Sequence, residues 1–251
     1  FIMLDYGSKF VFPPAPNPKG VGVHPHRGFE TVTIAYKGQV AHHDSFGNSG
    51  IINEGDGQGG SGASGLLHKE YHAESFAKTG GVFQMVQLWV NLPAKDKMSA
   101  PKYQAIANDQ MTKVVLEDGK SYVEVIAGKF KDQLGPAKTF TEVHLQNAIL
   151  AKGMKVDFDF PATQNTFLIV IEGSIKVNGD ALVAVDHFVE MDKKGDSFTI
   201  EATEDAKVLV ASGEPIGEPI AAHGPFVMNT RDELVQAFND YNDGKFGTLE
   251  D

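Results

Sequence analysis

The sequence predicts an all-β protein of two β-barrel domains followed by a short C-terminal helix. Short runs rich in β-branched and aromatic residues, with glycines at their turns, recur along the chain, a spacing typical of sandwiches and barrels. One run repeats in the second half of the chain, and helical periodicity is confined to a segment near the C-terminus. The predicted strand runs are TVTIAYKGQV (31–40), VFQMVQLWVNL (82–92), VEVIAGKF (123–130), HLQNAILA (144–151), TFLIVIEGSIKVNG (166–179) and AKVLVASG (206–213).

The repeat predicts that the barrel is duplicated. Four residues of the first half, each at a constant offset of 135, match four of the second: Thr31 with Thr166, Ile34 with Ile169, Gly38 with Gly173, and Val40 with Ile175.

We therefore expect a first barrel over residues 1–95, a linker over residues 96–112, and a second barrel with the C-terminal helix over residues 113–251. The linker is predicted from NLPAKDKMSAPKYQ (91–104), which has two prolines and mixed charge. Because the chain begins with Phe1 inside a predicted strand, we expect the natural N-terminus to lie upstream.

The C-terminal helix is predicted over TRDELVQAFNDY (230–241). Thr230 and Glu233 have the spacing of a capping box, and Gly244 is suited to end the helix. An apolar stripe indicates that the helix packs on the fold, and it consists of Leu234, Phe238 and Tyr241.

Composition excludes several classes of protein. A net charge of -11 and a pI of about 5.2 argue against direct nucleic-acid binding, which depends on clustered Lys and Arg, but they are compatible with a protein partner. No apolar run approaches the roughly 18 residues that cross a bilayer. The absence of cysteine excludes disulfides, cysteine zinc sites and thiol nucleophiles. We expect a cytoplasmic protein that binds neither membrane nor nucleic acid.

Histidines are concentrated between residues 24 and 72, which hold six of the nine. Alternate side chains of a strand share a face, so His24 and His26 point the same way, and Pro25 between them favours extended backbone. His68 and Glu70 have the same spacing. Two such pairs on neighbouring strands would place three imidazoles and a carboxylate around one metal ion.

Other residues near these pairs remain candidates. Glu30 shares the parity of the first pair and is an alternative fourth ligand to Glu70. Three more histidines are candidates for orienting the ligands through hydrogen bonds, although solvated or capping roles are equally compatible with the sequence: His42, His43 and His72.

Three other patterns resemble known motifs but lack the residues that those motifs require. GDGQGG (55–60) and GSGASG (60–65) match G-x-G-x-x-G, but no apolar strand precedes them and no Lys-Ser/Thr ends them, so nucleotide binding is not predicted. HKE (68–70) matches the H-x-E of zinc deaminases, whose remaining ligands are cysteines. At the offset of 135, His24 and His26 fall on Asp159 and Pro161, so the second barrel is expected to lack the ligands.

Several longer motifs resemble those of the pirin family, and the resemblance extends over essentially the whole chain. The motifs are GVGVHPHRGFETVT, DSFGNSG, GLLHKE, QLWVNLP, GEPIGEPI and GPFVMNTRDELVQAFNDY with GKFG. The resemblance implies a bicupin, that is, two cupin-type barrels of the jelly-roll kind, with one divalent metal in the first barrel and none in the second. It implies His24, His26, His68 and Glu70 as metal ligands, and it makes Glu30 a non-ligand.

The resemblance implies an iron-dependent quercetin 2,3-dioxygenase, although activities differ within the family. We expect Fe(II), while Mn, Co, Ni or Zn also suit such a ligand set. We expect a monomer that takes a small aromatic substrate and O2, with Glu70 accepting the substrate hydroxyl proton. Two alternatives remain. One is a redox-sensitive, metal-containing regulatory protein that acts through a protein partner, a role ascribed to another member of the family. The other is a dioxygenase for a different aromatic or enol substrate.

One stretch departs from the family pattern. The family usually carries a Trp-Met-Thr-Ala-like stretch before the H-x-E motif, whereas this chain has GGSG at residues 59–62. Loss of a bulky aromatic side chain beside the site is expected to widen or loosen the pocket and to change substrate preference.

Overall fold

The structure, a computed structural model, describes residues 1–250. These residues divide into a first unit, Phe1–Asn108 with the segment from Ile216 onward, and a second unit, Asp109–Pro215. The predicted all-β fold of two barrels with a short C-terminal helix is confirmed. Among the described residues, no helix combines the length and the apolar character that a membrane crossing requires.

The first unit contains two larger antiparallel sheets, of five and four strands, beside a two-stranded hairpin in its C-terminal segment. A short helix that the sequence pattern did not predict, α1, spans Glu74–Thr79, and a 3-10 turn spans Ala94–Asp96. The strands are β1 Met3–Phe12, β2 Gly20–His26, β3 Phe29–Lys37, β4 Val40–Asp44, β5 Ser49–Ile52, β6 Gly57–Ser61, β7 Leu66–His72, β8 Gly81–Asn91 and β9 Lys102–Ile106.

The second unit also contains two larger antiparallel sheets, with the orders β10-β11-β14-β21-β16-β19 and β15-β20-β17-β18, beside the two-stranded β12-β13. It begins after a 3-10 turn over Asn108–Gln110. The strands are β10 Thr112–Val115, β11 Tyr122–Ala127, β12 Lys129–Phe130, β13 Gln133–Leu134, β14 Val143–Leu150, β15 Lys155–Asp159, β16 Asn165–Glu172, β17 Ser174–Val177, β18 Ala181–Ala184, β19 Phe188–Glu190, β20 Ser197–Ala202 and β21 Ala206–Gly213.

Inward-facing residues of both sheets fill the second barrel. Ala148 and Val208 come from one sheet, and Phe158, Ile175 and Ile200 come from the other, and all belong to one buried cluster. β15 reads as alternating exposed and buried positions, which is the pattern of a strand with one face on a core. The second barrel is therefore a closed apolar core rather than an open sheet.

The two units correspond strand for strand in their paired sheets. The order β1-β8-β3-β6 matches β14-β21-β16-β19, and β2-β7-β4-β5 matches β15-β20-β17-β18. The connection from β3 to β4, which lie in different sheets, turns at Gly38 (φ +82°), and its counterpart from β16 to β17 turns at Gly173 (φ +71°). A Cβ at Gly173 would lie 2.1 Å from the Asp205 carbonyl oxygen, so both turns require glycine. The offset of 135 therefore marks a real structural repeat.

The division of the chain differs from the predicted boundaries. Residues 102–106, predicted as linker, form β9 and pair with β6 in the first unit. The segment from Ile216 onward, predicted to belong to the second barrel, lies with the first unit. Local sequence pattern identifies strands and helices but carries no signal for the barrel on which a terminal segment packs.

The C-terminal segment contains a hairpin, β22 Ala221–His223 with β23 Phe226–Met228, and the helix α2 Arg231–Asn242. The predicted capping box is confirmed, since Thr230 Oγ1 accepts a hydrogen bond from the Glu233 backbone N–H and the Glu233 carboxylate accepts one from the Thr230 N–H. A small core that includes Phe226, Leu234 and Phe246 holds the segment together.

Two buried cations attach this segment to the first barrel. Arg27 donates to the Asp240 carboxylate at 2.8 Å, and its guanidinium lies 4.7 Å from the Phe246 ring centroid. Lys97, 1% exposed, donates from Nζ to the carbonyl oxygens of Gly28 and Val227 and to Asn91. Since Arg27 and Gly28 directly follow His26, the C-terminal segment is fixed next to the histidine-rich strand.

Candidate metal centre

Three histidine rings meet on the neighbouring strands β2 and β7. The antiparallel pairing sets His24 opposite His68, and His26 follows on the same face of β2. The ring centroids are 4.2 Å apart for His24 and His68, 4.5 Å for His26 and His68, and 4.7 Å for His24 and His26. One nitrogen of each ring lies within 4.8 Å of one nitrogen of each of the others.

Hydrogen bonds on the outer ring nitrogens direct the inner nitrogens towards one another. His24 Nδ1 lies 2.8 Å from the Gly22 carbonyl oxygen, and His26 Nδ1 lies 3.5 Å from that of Pro225. A proton on each Nδ1 leaves a lone pair on each Nε2, and the two Nε2 atoms are 3.1 Å apart. His68 Nε2 is buried and has no hydrogen-bond partner in the protein.

Burial keeps two of these rings uncharged. Burial, followed by the neighbouring His24, lowers the pKa of His26 to about 3. Burial also lowers the pKa of His68 well below its ordinary value, with further contributions from His26 and His24. Neutral imidazole is the form that ligates a metal ion, so both side chains are in the ligating state at neutral pH.

Glu70 lies in a second group that shares His68 with the first. One ligand atom each of His42, His68 and Glu70 lies within 4.8 Å of the other two. The Glu70 carboxylate accepts hydrogen bonds from Gln87 Nε2 at 2.6 Å and from Thr33 Oγ1 at 3.3 Å. The structure thus brings the three predicted histidines together and places the predicted carboxylate beside them, where Gln87 and Thr33 hold it.

The ligand atoms of the three histidines and of Glu70 are suited to bind a metal ion. Two facing Nε2 atoms and the unpartnered His68 Nε2 are buried or half-buried nitrogen acceptors without a protein donor at their centre, an arrangement that a bound cation satisfies. Three imidazoles with a nearby carboxylate suit Fe, Mn, Co, Ni or Zn and do not select among them. That these four residues bind a metal stays a prediction.

The other sequence candidates lie in different surroundings. Glu30 has the opposite parity to Thr33 on β3 and belongs to neither group, and burial raises its pKa to about 7. His43 hydrogen bonds with the Tyr71 hydroxyl at 3.1 Å. His72 packs among three phenylalanine rings, Phe12, Phe76 and Phe83.

His42 differs from the other candidates, because it is 2% exposed and neither of its ring nitrogens has a hydrogen-bond partner within 3.5 Å in the protein. Its Nε2 lies 3.9 Å from Asp44 Oδ2, and its ring centroid lies 5.4 Å from that of His68. Of the three histidines proposed to orient ligands, His42 is therefore the one in direct contact with the candidate centre.

Aromatic residues line the inner face beside the three histidines. Trp89 lies 5.2 Å from His26 by ring centroids, and Tyr103 stacks on His42 at 5.6 Å. Strand register places Gly60 between them on the same face, opposite Thr31 and Tyr103. A Cβ at Gly60 meets only the Thr31 hydroxyl at 3.3 Å, so this glycine leaves room between the aromatic walls.

Gly62, the last residue of the GGSG stretch, has a different effect. A Cβ at Gly62 would lie 3.0 Å from the His26 Cβ and 3.2 Å from its backbone carbon. This glycine lets the chain approach His26 closely, whereas Gly60 leaves space between the aromatic side chains. The expected change in substrate preference stays a prediction.

In the second barrel, phenylalanines take the places of the three histidines. Strand pairing sets Phe158 opposite Phe198, as His24 is opposite His68. Phe160 follows Phe158 by two residues, as His26 follows His24, and its N–H donates to the Asp196 carbonyl. The expected equivalents Asp159 and Pro161 were therefore wrong by one residue. The offset of 135 holds for β3 and β4 but becomes 134 on β2, because the loops between the strands differ in length.

Three supporting residues had no recognised signal in the sequence. Gln87 holds Glu70 from β8, and Lys97 and Pro225 act from segments interpreted as linker and loop. Gln87 is one of three polar residues in a mostly apolar strand, with Gln84 and Asn91, and a polar residue on an inward face is a signal that strand periodicity could have supplied. Lys97 and Pro225 depend on long-range packing, which no local pattern encodes.

Comparisons with known proteins agree with this geometry. The family model described as Pirin matches residues 1–90, and the model described as Pirin C-terminal cupin domain matches residues 145–247. A crystal structure of quercetin 2,3-dioxygenase from Acinetobacter baumannii is 44% identical, with a TM-score of 0.93, over 98% of this chain and 86% of that one.

Two curated relatives are similar over most of their length. A Pseudomonas aeruginosa protein named "Putative quercetin 2,3-dioxygenase" is 44% identical over 246 residues, covering 98% of this chain and 86% of its own. A pirin-like protein of Caulobacter vibrioides is 38% identical over 225 residues, covering 89% and 79% respectively.

Proposed function

The chain belongs to the pirin family, and on that premise we propose that it is a metal-dependent dioxygenase, with iron as the expected metal, that opens flavonol-type substrates such as quercetin with O2. The observation that supports this most strongly is the group of three converging histidines, beside a carboxylate and between aromatic walls. The names of two relatives at 44% identity point to the same substrate class.

We assign as metal ligands His24, His26 and His68, whose ligand atoms form one group, together with Glu70, which lies in a second group with His68. A metal ion there would supply Lewis-acid stabilisation of an enolate oxygen and a fixed position for substrate and O2. The protein contributes the tautomers of the ligands, since the Gly22 carbonyl at His24 and the Pro225 carbonyl at His26 keep protons on the outer nitrogens.

Glu70 is the proposed proton acceptor. Gln87 binds one carboxylate oxygen at 2.6 Å, whereas Thr33 contacts the other at a longer 3.3 Å. The second oxygen, Oε1, is therefore the less strongly held, and it can take the proton of a substrate hydroxyl that enters beside it. Gln87 and Thr33 position the carboxylate for this transfer.

The aromatic walls suit a flat substrate. Trp89 stacks on Phe29 at a centroid distance of 4.2 Å, which fixes the indole ring, and Tyr103 is held against His42. Gly60 leaves the space between them open. A planar flavonol or another flat enol would be oriented between these rings, and water would be displaced from the carboxylate.

The test measures metal content, quercetin consumption and O2 uptake on one preparation of the protein and of two variants. Glu70→Gln leaves the three histidine ligands and an amide oxygen in place of the carboxylate, so metal should be retained, while kcat should fall by about 10²- to 10⁴-fold, the range for loss of a general base. Glu30→Gln is the matched control and should leave turnover unchanged. Glu30 is also a buried carboxylate, but it lies on the face of β3 opposite to Thr33, which contacts Glu70.

Two results would contradict parts of this proposal. Stoichiometric metal without quercetin consumption would leave the centre in place and remove the flavonol as substrate, in favour of another flat enol. Full turnover by a Glu70→Gln variant that retains its metal would remove the proton-acceptor role.

A further inference from the structure

His42 is a buried histidine that the proposed metal ligation leaves unused. It is 2% exposed, and neither of its ring nitrogens has a hydrogen-bond partner among the described residues. Asp44 Oδ2 lies 3.9 Å from His42 Nε2, and Asp44 instead accepts hydrogen bonds from Phe46 and Asn48. Because buried polar atoms are nearly always paired, the two ring nitrogens indicate a partner that is not a protein group.

Strand pairing places His42 beside two of the proposed metal ligands. β7 lies between β2 and β4 in the four-stranded sheet, and the register sets His42 on β4 opposite Glu70 on β7. One ligand atom each of His42, His68 and Glu70 lies within 4.8 Å of the other two. His24 is opposite His68 on the β2 side. His68 therefore has potential co-ligands on both sides of its strand.

Burial from water does not prevent these atoms from binding an ion. A metal ion lies about 2.0–2.2 Å from its nitrogen and oxygen ligands, whereas a hydrogen-bonded water oxygen lies about 2.9 Å from a nitrogen. Ligand atoms that surround a space for an ion are therefore closed to water. The ring of Tyr103, which stacks on His42 at a centroid distance of 5.6 Å, holds the imidazole in place.

We propose that the centre has a second position for a divalent transition-metal ion, formed by His42, His68 and Glu70 between β7 and β4. His68 belongs to both groups and offers one ligand atom, so an ion occupies one position or the other and not both. The inference rests on the proposed metal-dependent function but not on the substrate, because it concerns binding of the ion alone.

The two positions differ in the chemistry of their ligands. The group of His24, His26 and His68 has only imidazoles, whereas the second group includes the carboxylate of Glu70. Imidazole suits Ni²⁺, Cu²⁺ and Zn²⁺, and carboxylate suits Mn²⁺. Mn²⁺ is therefore the ion that should favour the second position most, and it is the probe for the test.

The test measures Mn²⁺ binding to metal-free protein through the electron paramagnetic resonance signal of the unbound ion. His24→Phe removes a ligand of the first position only, and this variant should still bind Mn²⁺ saturably. Adding His42→Phe should lower the affinity at least about 100-fold, because one of three ligands is lost. Phenylalanine keeps an aromatic ring against Tyr103, which favours retention of the fold.

His43→Phe in the same His24→Phe background is the matched control. His43 is the next residue on β4, so its side chain lies on the opposite face, where it hydrogen bonds with the Tyr71 hydroxyl. This substitution should leave Mn²⁺ binding unchanged.

Two results would overturn the inference while leaving the proposed function in place. One is loss of Mn²⁺ binding in His24→Phe when the unsubstituted protein binds the ion, and the other is equal affinity with and without His42→Phe. Failure of the unsubstituted protein to bind any divalent transition metal would contradict the proposed function as well.

A crystal of His24→Phe with Mn²⁺ keeps the inference testable if the double variant does not fold. The anomalous signal of the ion should lie about 2.0–2.2 Å from one atom each of His42, His68 and Glu70. A signal that contacts His26 and His68 but not His42 would contradict the second position.

Discussion

At the point where the first barrel sets His24 opposite His68, the second sets Phe158 opposite Phe198. The centroids of the three histidine rings are 4.2 to 4.7 Å apart, whereas those of the three phenylalanine rings are 5.5 to 6.2 Å apart. The imidazoles need the carbonyls of Gly22 and Pro225 to fix their tautomers, but the phenyl rings need only each other. The same backbone therefore supports a polar centre or an apolar core, and the difference lies in the supporting hydrogen bonds.

In the second barrel, phenylalanine packing should make the largest contribution to the free energy of unfolding. Phe158→Ala removes a ring that is 1% exposed, and it should lower the free energy of unfolding by about 3–5 kcal/mol because a cavity is left. Hydrogen exchange resolved by peptide should locate the loss in residues 109–215. Leu182→Ala, at a residue that is 67% exposed, is the control and should cost about 0.5 kcal/mol or less.

The stability of the first barrel, unlike that of the second, should depend on its contacts with the C-terminal segment. Lys97→Met leaves three buried acceptors without their donor and should cost about 2–4 kcal/mol. The chain's one tryptophan, Trp89, lies in the first barrel, so its fluorescence during urea unfolding reports this loss. Lys95→Met, at an exposed lysine of the same segment, should have little effect. Equal stability of the two variants would contradict the role of Lys97.

Glu30 should make the stability of the first barrel depend on pH in a way that the second barrel's does not. Its counterpart at the offset of 135 is the uncharged Asn165. Burial raises the pKa of Glu30 to about 7, so the folded state holds its proton more tightly than the unfolded state does. Its contribution to stability is full below pH 4.5 and is lost as pH rises through 7.

Glu30→Gln should therefore match the unsubstituted protein near pH 4.5 and be more stable than it by about 3 kcal/mol at pH 8. Trp89 fluorescence during urea unfolding at both pH values measures the difference. A stability difference that is the same at pH 4.5 and pH 8 would show that the carboxyl group titrates normally.

Sequence pattern predicts the repeated elements well, because each depends on local rules. Glycine with positive φ at Gly38 and Gly173, the Thr230 capping box, and the alternation that pairs His24 with His26 are all readable within a few residues. The convergence of His24 and His68 also follows, since neighbouring strands with matching parity leave few other arrangements.

Contacts between distant segments were not predictable in this way. Sequence pattern placed the C-terminal segment with the second barrel, whereas Asp240 pairs with Arg27 of the first. The exchange of histidine for phenylalanine was assigned to the wrong residues, because loop lengths change the offset between corresponding strands. Gln87 was missed as the residue that holds Glu70, since its partner lies on the other sheet.

The most direct test of the central claim is metal analysis of the purified protein beside His68→Phe and the reciprocal Phe198→His. We predict about one transition-metal ion per chain in the unsubstituted protein and in Phe198→His, and loss of that ion in His68→Phe, with affinity lowered by at least about 100-fold. Circular dichroism confirms that each variant is folded. Stoichiometric metal in a folded His68→Phe variant would contradict the assignment of the first barrel's histidines as the metal centre.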